Sequence, residues 1–287
     1  MRTVTSRRAL WRSLAALVLV AAVAGPVAPL GAAGLDAPAK GKSKTIDRIR
    51  EQKALRAGIA LAPPWLGQDP RTNEYFGAAY EIGQRLAKLL DVELRIVPSG
   101  WDVIIAGLQG NQFELALAPL FASEKRRQVV DFVNYTESGT CYGVLKDGKL
   151  DKLEDLDSPS VTFGTWTGTG TEHGITKKYT KAKTNSLVQP IGGTMRIEDV
   201  LTKRIDVAPF DAPKAFLVVH QYPQVKILPG GPEYCVKNPD IPYPIGMAFN
   251  YGDPELKKFL EAVVADMKPQ IDASIVKYSA IEYMLRK

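Results

Sequence analysis

Apolar positions along this chain switch repeatedly between two periods. ALRAGIA (54–60) is a compact apolar run ended by the PPW and GQDP breakers, which predicts a strand. From Tyr80 to Leu90 the residues Ile82, Leu86, Leu89 and Leu90 fall at helical spacing, whereas VELRIV (92–97) alternates as a strand does. Trp101 to Gln109 predicts a short helix stopped by Gly110, and FELALA (113–118) is apolar enough for a strand covered on both faces. The middle of the chain repeats the theme. VTFGTW (161–166) and RIDVAPF (204–210) predict strands, each followed by a helix, TGTGTEHGITKKY (167–179) and DAPKAFLVV (211–219). Farther on, Asp253 and Pro254 stand at the N-cap and first helical positions, ahead of a stripe made by Leu256, Phe259, Leu260, Val263, Val264 and Met267. Alternating strands and helices predict an α/β fold of mostly parallel sheets flanked by helices.

One stretch does not fit this alternation simply. In LALAPLFASEKRRQVVDF (115–132), Pro119 and Phe121 stand where the chain is expected to turn, and Lys125, Arg126 and Arg127 follow in a row. The cations form either a solvated face or a turn that aims one of them into a cleft.

The N-terminus carries Arg2, Arg7, Arg8 and Arg12 with no acid before Asp36, then the apolar run LAALVLVAAVA and small residues ending in GAAG. This order predicts a secretory signal over residues 1–33. SRRALW resembles the twin-arginine export motif, so both export routes stay open, as do cleavage after Ala33 or Ala24. No cysteine follows the apolar run, which argues against a lipid anchor. The Ala-, Gly- and Lys-rich residues 34–45 predict an unstructured linker. Loss of the leader changes the charge: four of the 37 Lys+Arg leave with it, so 33 cations face 31 acids and the net is +2. A domain so nearly neutral gives no support to nucleic-acid binding. Roughly 250 residues remain, enough for one large domain or two lobes.

The chain holds two cysteines, Cys141 and Cys235, an even count in an oxidising compartment, and a disulfide between them is expected. His173 and His220 are isolated from each other and from the cysteines, so no metal site is expected. GTGTEHG lacks the glycine spacing of a dinucleotide fingerprint and is followed by Lys177, Lys178, Lys181 and Lys183 rather than an acid. No cofactor is expected.

Seven segments in order carry a family resemblance: LRAGIALAPPW, YFGAAYEIGQRLAKLL, VPSGWDVIIAGLQGNQFELALAP, SEKRRQVVDF, FGTWTGTGT, KRIDVAPFDAP and YPIGMAFNYGDPELKKFLEAV. From about residue 46 onward the chain resembles the periplasmic amino-acid-type solute-binding proteins of ABC transporters. The resemblance implies a two-lobed clamshell with two hinge crossings. One lobe would comprise residues 46–137 with 246–287, and the other residues 138–245. A small-molecule ligand would bind between the lobes of a monomer and pass to an inner-membrane permease.

The same resemblance implies that Arg126 grips a ligand carboxylate and that Asp211 takes an ammonium. It also implies that the Gly168 to Thr171 loop, with Gly168, Gly170 and Thr171, offers backbone amides. A guanidinium suits a carboxylate in bidentate fashion, and amides at a helix N-terminus favour an anion. Asp211 also reads as a plain helix N-cap. Pro119 and Phe121 stand where the family usually has a glycine and a hydroxyl residue, which disfavours an ordinary polar amino acid. Trp65, Trp101, Trp166, Phe121 and Phe210 all fall on segments that line the cleft in the family, and aromatic walls suit a ligand with an apolar or aromatic body, or a cation over a ring. The stretch GGPEYCVKNPDIPYP (230–244) is longer than the family's usual connection.

Two other function classes stay open. Some relatives, the cyclohexadienyl dehydratases, use this clamshell as a lyase, for which Glu172, His173 or Asp211 would supply the acid. A sensory or accessory protein docking to a periplasmic partner is the third reading.

Overall fold

The computed structural model describes residues 35–189 and 195–284; the leader expected over 1–33 lies outside them. In chain order α1 (Lys44–Gln52) and β1 (Ala54–Ile59) come first, then a hairpin of β2 (Gly67–Gln68) and β3 (Tyr75–Phe76). α2 (Ala78–Leu90), β4 (Glu93–Pro98), α3 (Ile104–Gln109), β5 (Leu115–Phe121) and the single turn α4 (Glu124–Arg127) lead into the long strand β6 (Asp131–Leu145). The middle comprises β7 (Thr162–Trp166), α5 (Gly170–Lys178), β8 (Lys183–Leu187), α6 (Ile197–Leu201), β9 (Ala208–Asp211), α7 (Ala215–Gln221), β10 (Val225–Leu228) and α8 (Gly231–Lys237). β11 (Asp240–Phe249) returns, and α9 (Pro254–Asp266), α10 (Lys268–Ser279) and α11 (Ile281–Met284) follow.

The main sheet runs β10-β6-β11-β5-β1-β4, with β9 also on β6. β1 is parallel to β4 and β5, and β7 is parallel to β8. β6 and β11 are antiparallel and paired along most of their lengths, and they carry the chain from one lobe to the other and back. The far half of β6, Thr140 to Leu145, takes β9 and β10.

Strand periodicity explains how the core forms. On β5, Leu115 and Leu117 enter a cluster with α1, α2, α9 and α10, while Ala116, Ala118 and Leu120 enter the opposite one with Ile104, Leu108 and Phe113. Successive side chains of a strand point to opposite faces, so covering both requires an unbroken apolar run. Beyond the crossing, β6 does the same: Cys141 joins one cluster with Phe210 and Val218, and Tyr142 and Val144 join another with Phe163 and Tyr179. Cys141 and Cys235 form a disulfide that fastens α8 to β6.

Three expectations are corrected. Pro119 and Phe121 do not make a turn; they continue β5, which bends only at Ser123. Proline is tolerated because β5 has by then left β1 and its pairing with β11 is irregular between Leu120 and Ala116, so no ladder donor is lost. The helix read from Trp101 begins at Ile104. Finally, residues 34–45 are not simply a linker: Leu35 and Ala37 pack on the core, and Ser43 caps α1, its Oγ accepting from the Ile46 amide. Asp253 explains the order. One carboxylate oxygen accepts from Ser43 Oγ at 2.7 Å and the Thr45 amide at 3.1 Å, the other from the Leu256 amide at 3.0 Å, so a single acid caps α9 and holds the start of α1.

Candidate functional site

A cavity of about 530 Å³ opens between the lobes. Trp65, Trp101 and Phe121 line it from the β1, α3 and β5 side, and Trp166, Gly170, Thr171 and Phe210 from the β7, α5 and β9 side. Phe121, Trp166 and Phe210 stand at or next to strand ends and Gly170 and Thr171 open α5, while Trp65 and Trp101 lie in the turns that follow β1 and β4, as happens at the carboxyl ends of open α/β sheets.

Arg126 is nine-tenths buried and lines this cavity, whereas Lys125 and Arg127 are exposed. Ser123 sets the direction: its Oγ accepts from the Arg126 amide at 3.3 Å and caps the α4 turn. Arg127 instead lies over Phe132 and donates to the Ala122 carbonyl at 3.2 Å. The Arg126 guanidinium donates to the carbonyls of Phe121 and Gly168, each at 2.9 Å. Among the described residues no carboxylate pairs with it. Burial pulls it down to about 10, so it remains a cation at neutral pH. A buried cation held only by carbonyls is an attractive seat for an anion, because neutral acceptors compensate lost hydration poorly.

Asp211 also lines the cavity, but its side chain is engaged. Oδ2 accepts from Lys214 Nζ at 2.8 Å and Oδ1 from the Tyr243 hydroxyl at 2.5 Å. Burial alone would raise its carboxyl; the Lys214 charge, with hydrogen bonds from Lys214 and Tyr243, outweighs burial and holds it below the usual carboxylate value. The helix-cap reading is corrected, since this side chain makes no capping bond to the turn that follows.

The glycine loop departs from expectation at Gly168. Its amide donates to Glu172 Oε2 at 2.8 Å, and Gly168 does not line the cavity; its carbonyl is what meets Arg126. Gly170 and Thr171 do line it, at the first turn of α5, where amides have no intrahelical partner. Glu172 is turned back onto Gly168 and Ser186, and His173 is exposed, so neither faces the cavity. Among the described residues no three His, Cys, Asp or Glu side chains gather as metal ligands would.

Three lining residues escape a reading of the sequence. Lys214 and Tyr243 matter through Asp211. Thr165 is 2% exposed, and its hydroxyl has no hydrogen-bond partner within the described structure. Only Lys214 left a local trace, its position three residues after an acid at a helix start.

A sequence model of the bacterial extracellular solute-binding proteins, family 3, matches residues 55–278. The chain belongs to this family. A cyclohexadienyl dehydratase of Pseudomonas aeruginosa is 26% identical over 206 residues, 69% of this chain and 70% of that protein. An L-cystine-binding protein of Escherichia coli is 26% identical over 146 residues, 50% of this chain and 55% of that protein. Among solved structures, an ancestral amino acid-binding protein, a precursor of cyclohexadienyl dehydratase, superposes with a TM-score of 0.69 at 26% identity, covering 82% of this chain and 100% of that one. An amino acid ABC transporter substrate-binding protein from Streptococcus pneumoniae, bound to L-arginine, gives a TM-score of 0.68 at 21% identity over 82% of this chain and 97% of that one, a likeness of fold alone. These structures share the two-lobed architecture described above.

Proposed function

We propose that this chain captures a small carboxylate-bearing ligand, an amino acid or a related compound with an apolar or aromatic group, and delivers it to an ABC permease of the inner membrane. The observation that carries the reading is Arg126, a buried cation without an ion-pair partner among the described residues, facing an inter-lobe cavity walled by aromatic rings. Arg126 would hold the carboxylate, with the Gly170 and Thr171 amides beside it. Trp65, Trp101, Phe121, Trp166 and Phe210 would enclose the body of the ligand. The lobes we assign are residues 46–137 with 246–287, and residues 138–245, exported behind a leader over 1–33 and acting as a monomer in the periplasm. No helix among the described residues is long and apolar enough to cross a membrane. The separate core clusters on either side of the β6 and β11 crossings support this division, with Tyr243 and Ile245 at its edge packing in the core of the first lobe.

A thermal-shift screen against amino acids, aromatic acids and quaternary amines tests the reading. A ligand at a hundredfold excess over its Kd stabilises by about 2.7 kcal/mol, or roughly 5 to 11 °C for a chain of this size. A carboxylate that produces such a shift and also moves the tryptophan emission supports the proposal. Stabilisation by quaternary amines alone contradicts it.

The similarity to a cyclohexadienyl dehydratase keeps a lyase as the second reading. It requires an acid over the bound substrate. Glu172 and His173 point elsewhere and Asp211 is paired with Lys214, which favours the binding protein. Conversion of prephenate or arogenate by the purified protein would select the lyase.

A further inference from the structure

The charged groups around the cavity are unequally available. Among its described lining residues the cations are Arg126, Lys214 and Arg196, the last paired with Asp199 at 2.7 Å, and Asp211 is the one enclosed carboxylate. Glu198, the other lining acid, is exposed and accepts from the Tyr222 hydroxyl. Asp211 has both oxygens engaged, one by Lys214 and one by Tyr243. A ligand ammonium entering beside Asp211 would therefore meet a carboxylate whose charge is already balanced, with a second ammonium next to it. Like charges in a desolvated site repel strongly, and breaking the Asp211–Lys214 pair would leave one partner buried and unpaired. The side chains of Asp211 and Lys214 are 21% and 17% exposed, too enclosed for solvent to screen that conflict away. The wall instead carries three cations, of which Arg126 has no carboxylate partner among the described residues, a set that accommodates an anion with oxygen atoms.

We infer that the ligand is a carboxylate that lacks a free ammonium group, Lys214 supplying internally the positive charge that Asp211 would otherwise receive from an amino acid. This inference rests on the proposed function and narrows it. It makes Lys214 a specificity-determining residue: two of its three ammonium protons remain for the ligand when one is given to Asp211.

The test is calorimetric titration of the parent protein with matched pairs that differ only in the ammonium: hydrocinnamate against L-phenylalanine, and isocaproate against L-leucine. The expected result is at least a tenfold preference for the acid without nitrogen in the pair that binds. In Lys214→Gln that preference should shrink or reverse through a gain in amino-acid affinity, since the substitution removes the positive charge that balances Asp211 and leaves a neutral polar side chain one atom shorter. An amino acid that binds the parent as tightly as its partner overturns the inference and leaves the carboxylate reading standing. An unchanged preference in a folded Lys214→Gln variant also overturns it. Failure of all four acids, when a cationic ligand without a carboxylate binds, overturns both. Because the first arm uses the parent alone, a variant that does not fold cannot obscure the answer.

Discussion

The Arg126 guanidinium donates across the cleft to the carbonyl of Gly168, at 2.9 Å. This bond joins the α4 turn to the loop before α5, two segments that otherwise belong to different cores. Around it the lobes touch directly. Phe121 lies against Gly170, and Lys177 reaches Glu124 at 3.7 Å on the surface. The same guanidinium thus holds the cleft together and faces the cavity, so closure of the lobes and occupancy of the site are physically linked.

Gly170 is where closure should be most easily obstructed. A Cβ there would lie 2.0 Å from Phe121 Cδ1 and 2.3 Å from Phe121 Cβ. Gly170→Ala should therefore weaken ligand affinity by about tenfold, or 1.4 kcal/mol, by penalising the closed state. Small-angle scattering at saturating ligand should show a larger radius of gyration than the parent. Equal affinity and equal radius would mean that Phe121 moves aside without cost.

The disulfide closes a loop of 94 residues and ties α8 to β6 close to the start of β11. Reduction, or the double substitution of Cys141 and Cys235 by serine, should lower stability by about 2 to 4 kcal/mol. Denaturant unfolding with and without reductant measures this. The stability is also expected to fall without abolishing binding, since neither cysteine lines the cavity.

Asp253 serves two helices, so its removal should cost more than an ordinary cap. Asp253→Ala deletes the acceptor for Ser43, Thr45 and Leu256. A loss of about 1 to 3 kcal/mol is expected, an N-cap value of roughly 1 kcal/mol plus the cost of the stranded buried Ser43 hydroxyl. Hydrogen exchange should show the amides of α1 opening first.

Asp240 gives the fold an acid-sensitive fastening. It accepts from the Tyr142 and Tyr179 hydroxyls, each at 2.7 Å, and from Lys178. Burial pushes its carboxyl up, but the bonds from Lys178, Tyr179 and Tyr142 outweigh burial and hold it below the ordinary value of 3.8. A carboxyl depressed in the folded state contributes stability that is full above its unfolded pKa, and loses it as the pH falls through the folded one. Asp240→Asn should melt below the parent near pH 7, and the gap should narrow as the pH approaches about 3. A gap that stays constant across that range would contradict the assignment.

Much of the fold was legible because local and tertiary demands agree. Asp253 and Pro254 announce α9, and the apolar run of β5 announces a strand covered on both faces. The aromatic wall was legible through family resemblance, since nothing local distinguishes Trp101 beside a cavity from a tryptophan in a core. What escaped depends on partners distant in sequence. The start of α1 is defined by Asp253, 210 residues from Ser43, so its Ala-, Gly- and Lys-rich flank reads as a linker. Pro119 reads as a breaker until the pairing of β5 shows that no donor is needed there. Asp211 invites an ammonium in one dimension; only the fold brings Tyr243 to its other oxygen and shows Lys214 already in place.

The central claim is that Arg126, and not its neighbours, receives the ligand carboxylate. Calorimetric titration of the parent, Arg126→Ala, Lys125→Ala and Arg127→Ala with the carboxylate found in the thermal-shift screen tests it most directly. Leaving a carboxylate unpaired in a closed site costs roughly 2 to 5 kcal/mol, so Arg126→Ala should bind at least about thirtyfold more weakly. The exposed Lys125 and Arg127 should each change affinity by no more than a fewfold when truncated. Equal losses in all three variants, or no loss in Arg126→Ala with its fold intact by circular dichroism, would contradict the account.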